Sequence, residues 1–289
     1  MIEKQNKRPV IFGEVLFDRF PDGSVVLGGA PFNVAWNLQA FGQAPAMISR
    51  VGQDPLGQQI RKAMTDWSMD TSYLQTDTLH PTGTVDVSFN GSEPSYDIVA
   101  GSAYDFMEPT DFSTLKNAAV LYHGSLALRN AVSRQTHSEL VAQLKVPRFV
   151  DVNLRAPWWQ QRDVLELIDG AAWVKLNEHE LSVLNSNGPP DEGAGNKLRR
   201  RHGLYAVILT RGSQGAELLG EDTRLNVAPE PATQVVDSVG AGDAFASVIL
   251  LGLLQEWSLQ TALERAQSFA SAVVGLRGAI TTDANFYKS

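Results

Sequence analysis

The sequence DSVGAGDAF, Asp237 to Phe245, joins a glycine-rich turn to a long apolar run and places an aspartate at the junction. The residues Gly240 to Gly242 have little or no side chain, so the backbone there can approach an anion closely. The apolar run Ala244 to Leu254 is predicted to be a helix, whose unpaired first N–H groups and dipole favour negative charge. Asp243, at the start of this helix, is suited to act as a general base in phosphoryl transfer. Capping of the helix is the structural alternative.

The glycine pattern of this segment also approximates the dinucleotide-binding fingerprint G-x-G-x-x-G/A. That fingerprint requires a second strand, which ends in an acidic residue about twenty positions further on. Glu264 lies at roughly that distance, but it falls inside the helical pattern of Leu259 to Ala270, so the second strand is missing. The sequence also contains no G-x-x-x-x-G-K-[ST] motif, so the predicted phosphate site has no P-loop lysine.

A second group of polar residues lies near the N-terminus, around the sequence GGAPFNVAWNLQAFG, Gly28 to Gly42. The apolar pattern predicts a buried first strand from Val10 to Leu16 and a helix through Phe32 to Phe41. Asp18 follows this strand and Asn33 lies near the helix start, so both can face one crevice at the carboxyl ends of the strands. An accepting carboxylate and an amide that both donates and accepts match the hydroxyls of a polyol. For Asn33, a capping or turn role is the alternative.

Two motifs together resemble those of the ribokinase-like (PfkB) carbohydrate kinases: the glycine pair with an asparagine just behind it, and the late D-[ST]-x-G-A-G-D segment. The resemblance extends along nearly the whole chain and is greatest to bacterial fructokinases, in the run GEVLFDRFPDG…LGGAPFNVAWNLQAFG. It implies that Asp243 is the catalytic base. It implies an anion hole formed by Gly240, Ala241 and Gly242. The sugar contacts that it implies are Asp18, Gly28, Gly29 and Asn33.

Three further motifs agree with this resemblance. Asn177 and Glu180 in VKLNEHEL share a face of a starting helix and can hold hydrated magnesium near the nucleotide phosphates; a capped helix N-terminus is the alternative. Thr210 and Gly212 follow a β-branched strand, where the family's T-x-G lies against the nucleotide; an ordinary hairpin turn is the alternative. The resemblance also suggests that Arg155, in DVNLRAPWW, faces the substrate or the γ-phosphate through bidentate contacts.

The segment Thr82 to Asp105 alternates apolar and polar residues around Asn90-Gly91, which predicts a hairpin with a tight turn. Together with the excursion Phe17 to Leu27 it would form a small sheet. In ribokinase-like enzymes these two insertions form a lid over the sugar, which closes the site and excludes water. The candidates for this closing role are Tyr96, Ile98 and Tyr104, with Tyr96 as a substrate contact. The alternative is packing of these side chains within the lid, or against a second subunit in a homodimer formed through the lid.

Composition and element order predict one large α/β domain over residues 1–289. Strands and helices alternate through the chain, which indicates three layers with a mostly parallel sheet and helices on both faces. The resemblance implies that this α/β fold is ribokinase-like, with the small β-sheet as a lid. The net charge of −8, with no basic cluster beyond Lys197 to Arg201, argues against a nucleic-acid partner. The absence of cysteine excludes thiol chemistry, and the lack of a signal peptide or long apolar segment favours a cytoplasmic protein without a membrane partner.

We therefore expect an ATP-dependent sugar kinase, in the first place a fructokinase, that transfers the γ-phosphate to a hexose hydroxyl with ATP and Mg²⁺. Kinases of ribose, 2-keto-3-deoxygluconate or a nucleoside are the alternatives within this class. A catalytically silent, sugar-binding regulatory homologue is the alternative outside it, and a nicotinamide-dependent oxidoreductase is the third. The resemblance also makes Asp237 a candidate ligand for potassium or a similar monovalent cation. The expected partners are the sugar and ATP.

Overall fold

The computed structural model describes residues 7–90, 93–228, 239–276 and 278–288. The strands in these ranges are β1 (Arg8–Phe12), β2 (Leu16–Arg19), β3 (Val25–Gly28), β4 (Ala46–Gly52), β5 (Leu74–Asp77), β6 (Gly83–Asn90), β7 (Glu93–Ile98), β8 (Ala118–His123), β9 (Arg148–Asp151), β10 (Trp173–Asn177), β11 (Ala206–Thr210), β12 (Ala216–Leu219) and β13 (Arg224–Val227). The α-helices are α1 (Ala30–Ala40), α2 (Pro55–Asp66), α3 (Ala131–Leu144), α4 (Gln161–Ile168), α5 (Glu178–Leu184), α6 (Glu192–Arg201), α7 (Ala241–Leu254) and α8 (Leu259–Val273).

Nine strands form one large sheet in the order β13-β12-β11-β10-β9-β8-β1-β4-β5. The strands from β11 to β5 in this order pair in parallel. Strands β12 and β13 extend one edge in antiparallel pairing. Because parallel strands share one direction, the carboxyl ends of β1, β9, β10 and β11 lie along the same edge of the sheet, where a ligand crevice is expected.

Both faces of the large sheet are apolar, because successive residues of a strand point to opposite faces. On one face, Ile11 and Met47 belong to a core that includes buried residues of α1, α2, α7 and α8. On the other face, Val10 and Ile48 share a core with α3, and Val150 shares one with α4, α5 and α6. The predicted three-layer fold is therefore confirmed. Within the described residues, no helix is both long and apolar enough to cross a membrane.

A second, four-stranded sheet has the order β3-β2-β6-β7 and is built from the two predicted insertions. Strand β2 pairs in antiparallel fashion with β3 and in parallel with β6, which opposes Asp18 to Val26 and to Val85. Strands β6 and β7 pair as a hairpin, whose connecting residues 91–92, at the predicted turn, lie outside the described residues. Tyr104 lies beyond this sheet and is fully buried in a cluster that also contains Val85 and Ile98 of the small sheet, so for Tyr104 the alternative of packing is present.

The predicted first strand from Val10 to Leu16 is in fact two strands in two sheets. Strand β1 ends at Phe12 in the large sheet, and β2 begins at Leu16 in the small one. The chain changes direction near Gly13, where an added Cβ would lie 2.3 Å from Cγ of Pro31 in α1. Only glycine permits this close approach between strand end and helix start. Asp18 consequently lies inside a strand of the small sheet, and not just past the first strand.

Candidate active site

The glycine-rich turn is the N-terminus of α7, as the sequence predicts. Gly240 is the N-cap residue in the left-handed conformation, with φ of 83°, and an added Cβ would lie 2.2 Å from Cβ of Ala279. A glycine is therefore required both by the backbone conformation and by the packing. The helix begins at Ala241, and Gly242 is exposed, so the first N–H groups of α7 have no helical partner and lie next to solvent. This end of the helix is suited to bind an anion.

Asp243 and Asn33 are 210 residues apart in the sequence and in direct contact in the structure. Nδ2 of Asn33 donates to Oδ2 of Asp243 over 2.8 Å. Asn33 reaches Asp243 because helix α1 begins directly after Gly29. Gly29 has a φ of 106°, and an added Cβ would lie 2.7 Å from the carbonyl oxygen of Glu14, so no side chain fits at this position. The side chain of Asn33 thus orients Asp243, and the capping alternative for Asn33 is wrong. Oδ1 of Asn33 is buried and has no partner among the described residues.

Burial raises the pKa of Asp243 to about 6. The hydrogen bond from Asn33 opposes this rise, the negative charge of Asp151 adds to it, and the positive charges of Lys175 and Arg155 reduce it. A carboxylate with a pKa of about 6 is ionised at neutral pH and more basic than an ordinary aspartate. It is therefore suited to accept a proton from a hydroxyl group.

A buried ion pair beneath the glycine turn was not predicted from the sequence. Nζ of Lys175 lies 2.9 and 2.8 Å from the two carboxylate oxygens of Asp151, and the hydroxyl of Tyr122 donates to the same carboxylate over 3.2 Å. Nζ of Lys175 also lies 3.4 Å from where a Cβ on Gly242 would be. Burial alone would lower the pKa of Lys175, but Asp151 keeps it above its usual value, so the lysine stays charged. The anion site therefore has a fixed positive charge behind it.

The substrate-side residues of the small sheet lie on one of its faces. Oδ2 of Asp18 is 3.4 Å from where a Cβ on Gly28 would be, so the carboxylate lies beside the glycine pair. The strand register places Asp18, Val26 and Tyr96 on the same face. Cγ1 of Val26 lies 3.7 Å from where a Cβ on Gly278 would be, so this face meets the segment that packs against Gly240. Tyr96 is 47% exposed.

Arg155 lies on the loop that follows β9 and is exposed. Its positive charge lowers the pKa of both Asp243 and Glu14, which places the guanidinium near these two carboxyl groups. The loop turns back at this point, because the backbone N–H of Trp158 donates to the carbonyl of Arg155 over 2.8 Å. The position of Arg155 is consistent with a contact to the substrate or to its phosphoryl group.

The N-x-x-E motif forms a capping box at the start of α5. Asn177 accepts from the N–H of Glu180, and Oε2 of Glu180 accepts from the N–H of Asn177 over 2.8 Å. Oε1 of Glu180 accepts from the N–H of Leu154, so both carboxylate oxygens are occupied by backbone groups. Within the described ranges, no cluster of three or more His, Cys, Asp or Glu residues could hold a metal ion. The capped helix N-terminus, which was the alternative to a metal role, is therefore present. Because both oxygens of Glu180 already accept hydrogen bonds, these residues fit Mg²⁺ only through water molecules.

Thr210 ends β11 directly beside Asn177, its register partner at the end of β10. Gly212 follows with φ of 52°, in a tight connection where the N–H of Arg211 donates to the carbonyl of Gly215 over 2.8 Å. The chain therefore forms a hairpin turn here, as the alternative predicted, since the strands on either side, β11 and β12, pair in antiparallel fashion. Asn177 and Thr210 form a second group of polar residues at the same edge of the sheet as Asp243. Asp237 lies outside the described residues.

Comparison with known proteins agrees with this arrangement. The sequence matches a family model, the pfkB family carbohydrate kinase, over residues 4–285. It is 30% identical to a fructokinase of Klebsiella pneumoniae and 29% identical to a fructokinase of Escherichia coli, in each case with 94% of both chains covered.

Solved structures show the same similarity at the level of the fold. A fructokinase from Vibrio cholerae O395, with fructose, ADP and calcium ion bound, superposes with a TM-score of 0.86 at 26% identity and covers 99% of both chains. An aminoimidazole riboside kinase from Salmonella enterica, in complex with aminoimidazole riboside and an ATP analogue, has a TM-score of 0.82 at 23% identity and shares the fold. The family match extends over almost the entire sequence. The chain belongs to the pfkB family of carbohydrate kinases.

Proposed function

We propose that this protein is an ATP-dependent fructokinase, which transfers the γ-phosphate of ATP to a hydroxyl of fructose. The observation that carries the proposal is the contact between Asn33 and Asp243 at the N-terminus of α7, because it joins a sugar-side amide, a basic carboxylate and an anion site. The similarity to bacterial fructokinases along the full chain, and to a fructokinase structure that holds fructose and ADP, supports the choice of sugar.

In the proposed reaction, Asp243 accepts the proton of the attacking hydroxyl, and Asn33 holds the carboxylate in position through its amide. The free N–H groups at the start of α7 face the negative charge that develops on the transferring phosphoryl group. Lys175 adds a buried positive charge behind this turn. Each of these groups is fixed before the reaction by packing or hydrogen bonds, so little reorganisation is needed during transfer.

Mg²⁺ is proposed as the metal that accompanies the nucleotide. It neutralises phosphate charge when bound, and Asn177 and Glu180 would act on it through water molecules. The capping box fits this indirect role, because it leaves the side chain of Asn177 at an exposed position while Glu180 is buried. A monovalent cation at Asp237 and a homodimer formed through the small sheet remain predictions.

The small sheet is proposed to act as a lid over the sugar. The support for this role is the position of Asp18 on its inner face and the contact of Val26 with the segment that packs beside Gly240. Closing such a sheet over the sugar would exclude water, which would otherwise compete for the phosphoryl group.

The substrate assignment is tested with a panel of sugars, nucleosides and sugar acids, each with ATP and Mg²⁺, by measuring ADP release. We expect turnover of fructose well above that of every other compound. Preferred turnover of ribose, 2-keto-3-deoxygluconate or a nucleoside would replace fructose with that substrate. Sugar binding without any ADP release would indicate a regulatory, catalytically silent protein and would contradict the proposal.

Replacing Asp18 by alanine is expected to raise KM for the sugar and to leave KM for ATP unchanged. The carboxylate is proposed to accept hydroxyl hydrogen bonds, and the loss of such a charged hydrogen bond costs about 1 to 3 kcal/mol. The matched control is Asp86→Ala, in the same sheet but on the opposite face, where Asp86 pairs with Arg19 in an exposed salt bridge. A rise in KM for ATP in Asp18→Ala would place Asp18 on the nucleotide side.

The pH dependence of kcat/KM should follow the ionisation of Asp243. Because the pKa of Asp243 is raised to about 6, the carboxyl is protonated below that pH, and we expect kcat/KM to fall as the pH drops through 6. In Asn33→Ala the decrease in kcat/KM should begin at a higher pH, because the hydrogen bond that is lost normally lowers the pKa of Asp243. The control is Asn37→Ala, one turn later on α1. Asn37 accepts a hydrogen bond from the hydroxyl of Tyr287, so this variant should keep the pH dependence of the wild type.

A further inference from the structure

Two charged side chains behind the site have polar atoms without a partner. Glu14, just after β1, is 2% exposed, and its Oε2 has no hydrogen-bond partner among the described residues. The side chain of Arg129 is 6% exposed, and its Nη1 is likewise without a partner in the described part of the chain. Buried polar groups in folded proteins are nearly always hydrogen-bonded, so the two atoms without a partner, one on a carboxyl group and one on a guanidinium, need an explanation.

Glu14 lies close to the proposed reacting groups. The charges that act on its carboxyl group are those of Arg155, Asp243 and Arg129, and its own carbonyl packs 2.7 Å from where a Cβ on Gly29 would be. Burial raises the pKa of Glu14 to about 7, which reflects the cost of an ionised carboxylate at this place. The backbone of Glu14 therefore packs against the glycine pair, and its carboxyl group lies close enough to Asp243 for the two charges to interact.

Several contacts hold the guanidinium of Arg129 in place, and Nη1 takes part in none of its hydrogen bonds with the described residues. Its Nε and Nη2 donate to the two carboxylate oxygens of Asp105 over 2.7 and 2.8 Å, and Nη2 also donates to the carbonyl of Val99, which follows β7 of the lid. The guanidinium lies over the rings of Tyr104 and Trp158, with 5.2 and 4.4 Å to their centroids. These contacts fix the group and leave Nη1 for a ligand.

We propose that Glu14 and Arg129 form the floor of the sugar pocket and contact hydroxyl groups of the bound sugar. A hydroxyl can donate to Oε2 of Glu14 and can accept from Nη1 of Arg129, so an uncharged polyol satisfies both atoms. This assignment rests on the proposed function and deepens it.

The decisive variant is Glu14→Leu, which removes the carboxyl group and keeps a side chain of similar size. We expect KM and Kd for the sugar to rise at least about tenfold, because a hydrogen bond between a sugar hydroxyl and a buried carboxyl group is lost, while KM for ATP stays the same. Thermal stability should be equal or higher, since an unpartnered buried carboxyl group destabilises the fold. Glu14→Gln should restore most of the affinity, because its amide can still bond to a hydroxyl.

The contact is located with a series of monodeoxy analogues of the preferred sugar. The analogue that lacks the hydroxyl bound by Glu14 should bind wild type and Glu14→Leu equally well, and the other analogues should still distinguish the two proteins. Glu217→Leu is the control for loss of a buried carboxylate elsewhere. It removes a group paired with Arg211 and Arg224, and it should lower stability without changing KM for the sugar.

Unchanged sugar affinity in a folded Glu14→Leu protein would overturn the assignment, and Oε2 of Glu14 and Nη1 of Arg129 would then be expected to bond to water molecules. That result differs from a failure of the proposed function, in which wild type itself would phosphorylate no sugar in the panel. The assignment would also be overturned if every deoxy analogue showed the same difference in affinity between wild type and Glu14→Leu. The effect of Glu14 on the sugar would then be indirect.

Discussion

Replacing Asp243 by asparagine is expected to lower kcat by about 10²- to 10⁴-fold, because general base catalysis commonly contributes that much. The amide keeps the size of the side chain but cannot accept the proton of the hydroxyl. Binding of ATP and of the sugar should remain close to that of wild type, since Asp243 acts in the transition state. Steady-state kinetics together with calorimetric titration of both ligands measure the two effects separately.

The same variant should be at least as stable as wild type. The raised pKa of Asp243 means that the folded protein holds its proton more tightly than the unfolded chain does. The free energy of unfolding of wild type therefore falls as the pH rises from about 4 to about 6, and the asparagine variant lacks this fall. Near-wild-type kcat in the folded variant would remove Asp243 from the role of base.

Replacing Lys175 by methionine is expected to cost about 3 to 5 kcal/mol of unfolding free energy, because it leaves the carboxylate of Asp151 buried without its partner. Both side chains are almost completely inaccessible to solvent, so screening does not weaken the pair. Urea unfolding at neutral pH is the measurement. Lys62→Met, which breaks the exposed pair with Asp66, is the matched control and should change stability by less than about 1 kcal/mol.

The double variant Lys175→Met with Asp151→Leu separates stability from catalysis. Removing both charges should return most of the lost stability, because no unpaired charge remains. If the positive charge behind the glycine turn assists phosphoryl transfer, kcat of the double variant stays low although its stability is restored. A double variant with wild-type kcat would limit Lys175 to a structural role.

The elements that the sequence predicted well are those whose signal is local. The helix through Phe32 to Phe41 and the helix that follows the GAGD turn were found near their true bounds, because apolar runs and glycines mark them directly. The break between β1 and β2 was missed, since VIFGEVLF is apolar on both sides of the break. What separates the two strands is the contact of Gly13 with Pro31, and no pattern within the strand encodes it.

The candidate site divides in the same way. Asp243 and Asn33 were identified because each follows a glycine turn, but their direct contact depends on how α1 and α7 pack. Lys175 and Asp151 escaped notice because each is one charged residue in an apolar strand. The signal was nevertheless present, since charges at matching depths in two successive strands, WVKL and FVDV, indicate a cross-strand pair, and the register does oppose them. Glu14 has no such companion in the sequence.

The hairpin formed by β2 and β3 leaves the large domain at Glu14 and returns to it at Gly29, and these two points touch. Its tip, residues 21–24, is exposed, and two backbone hydrogen bonds close it: the N–H of Phe20 donates to the carbonyl of Ser24, and the N–H of Gly23 donates to the carbonyl of Phe20. Insertions or deletions at the tip therefore leave the paths of β1 and α1 unchanged. If the small sheet covers the acceptor as proposed, evolution can lengthen, shorten or rewrite this hairpin while the large sheet and α7 stay intact, which would let one fold accept many different alcohols.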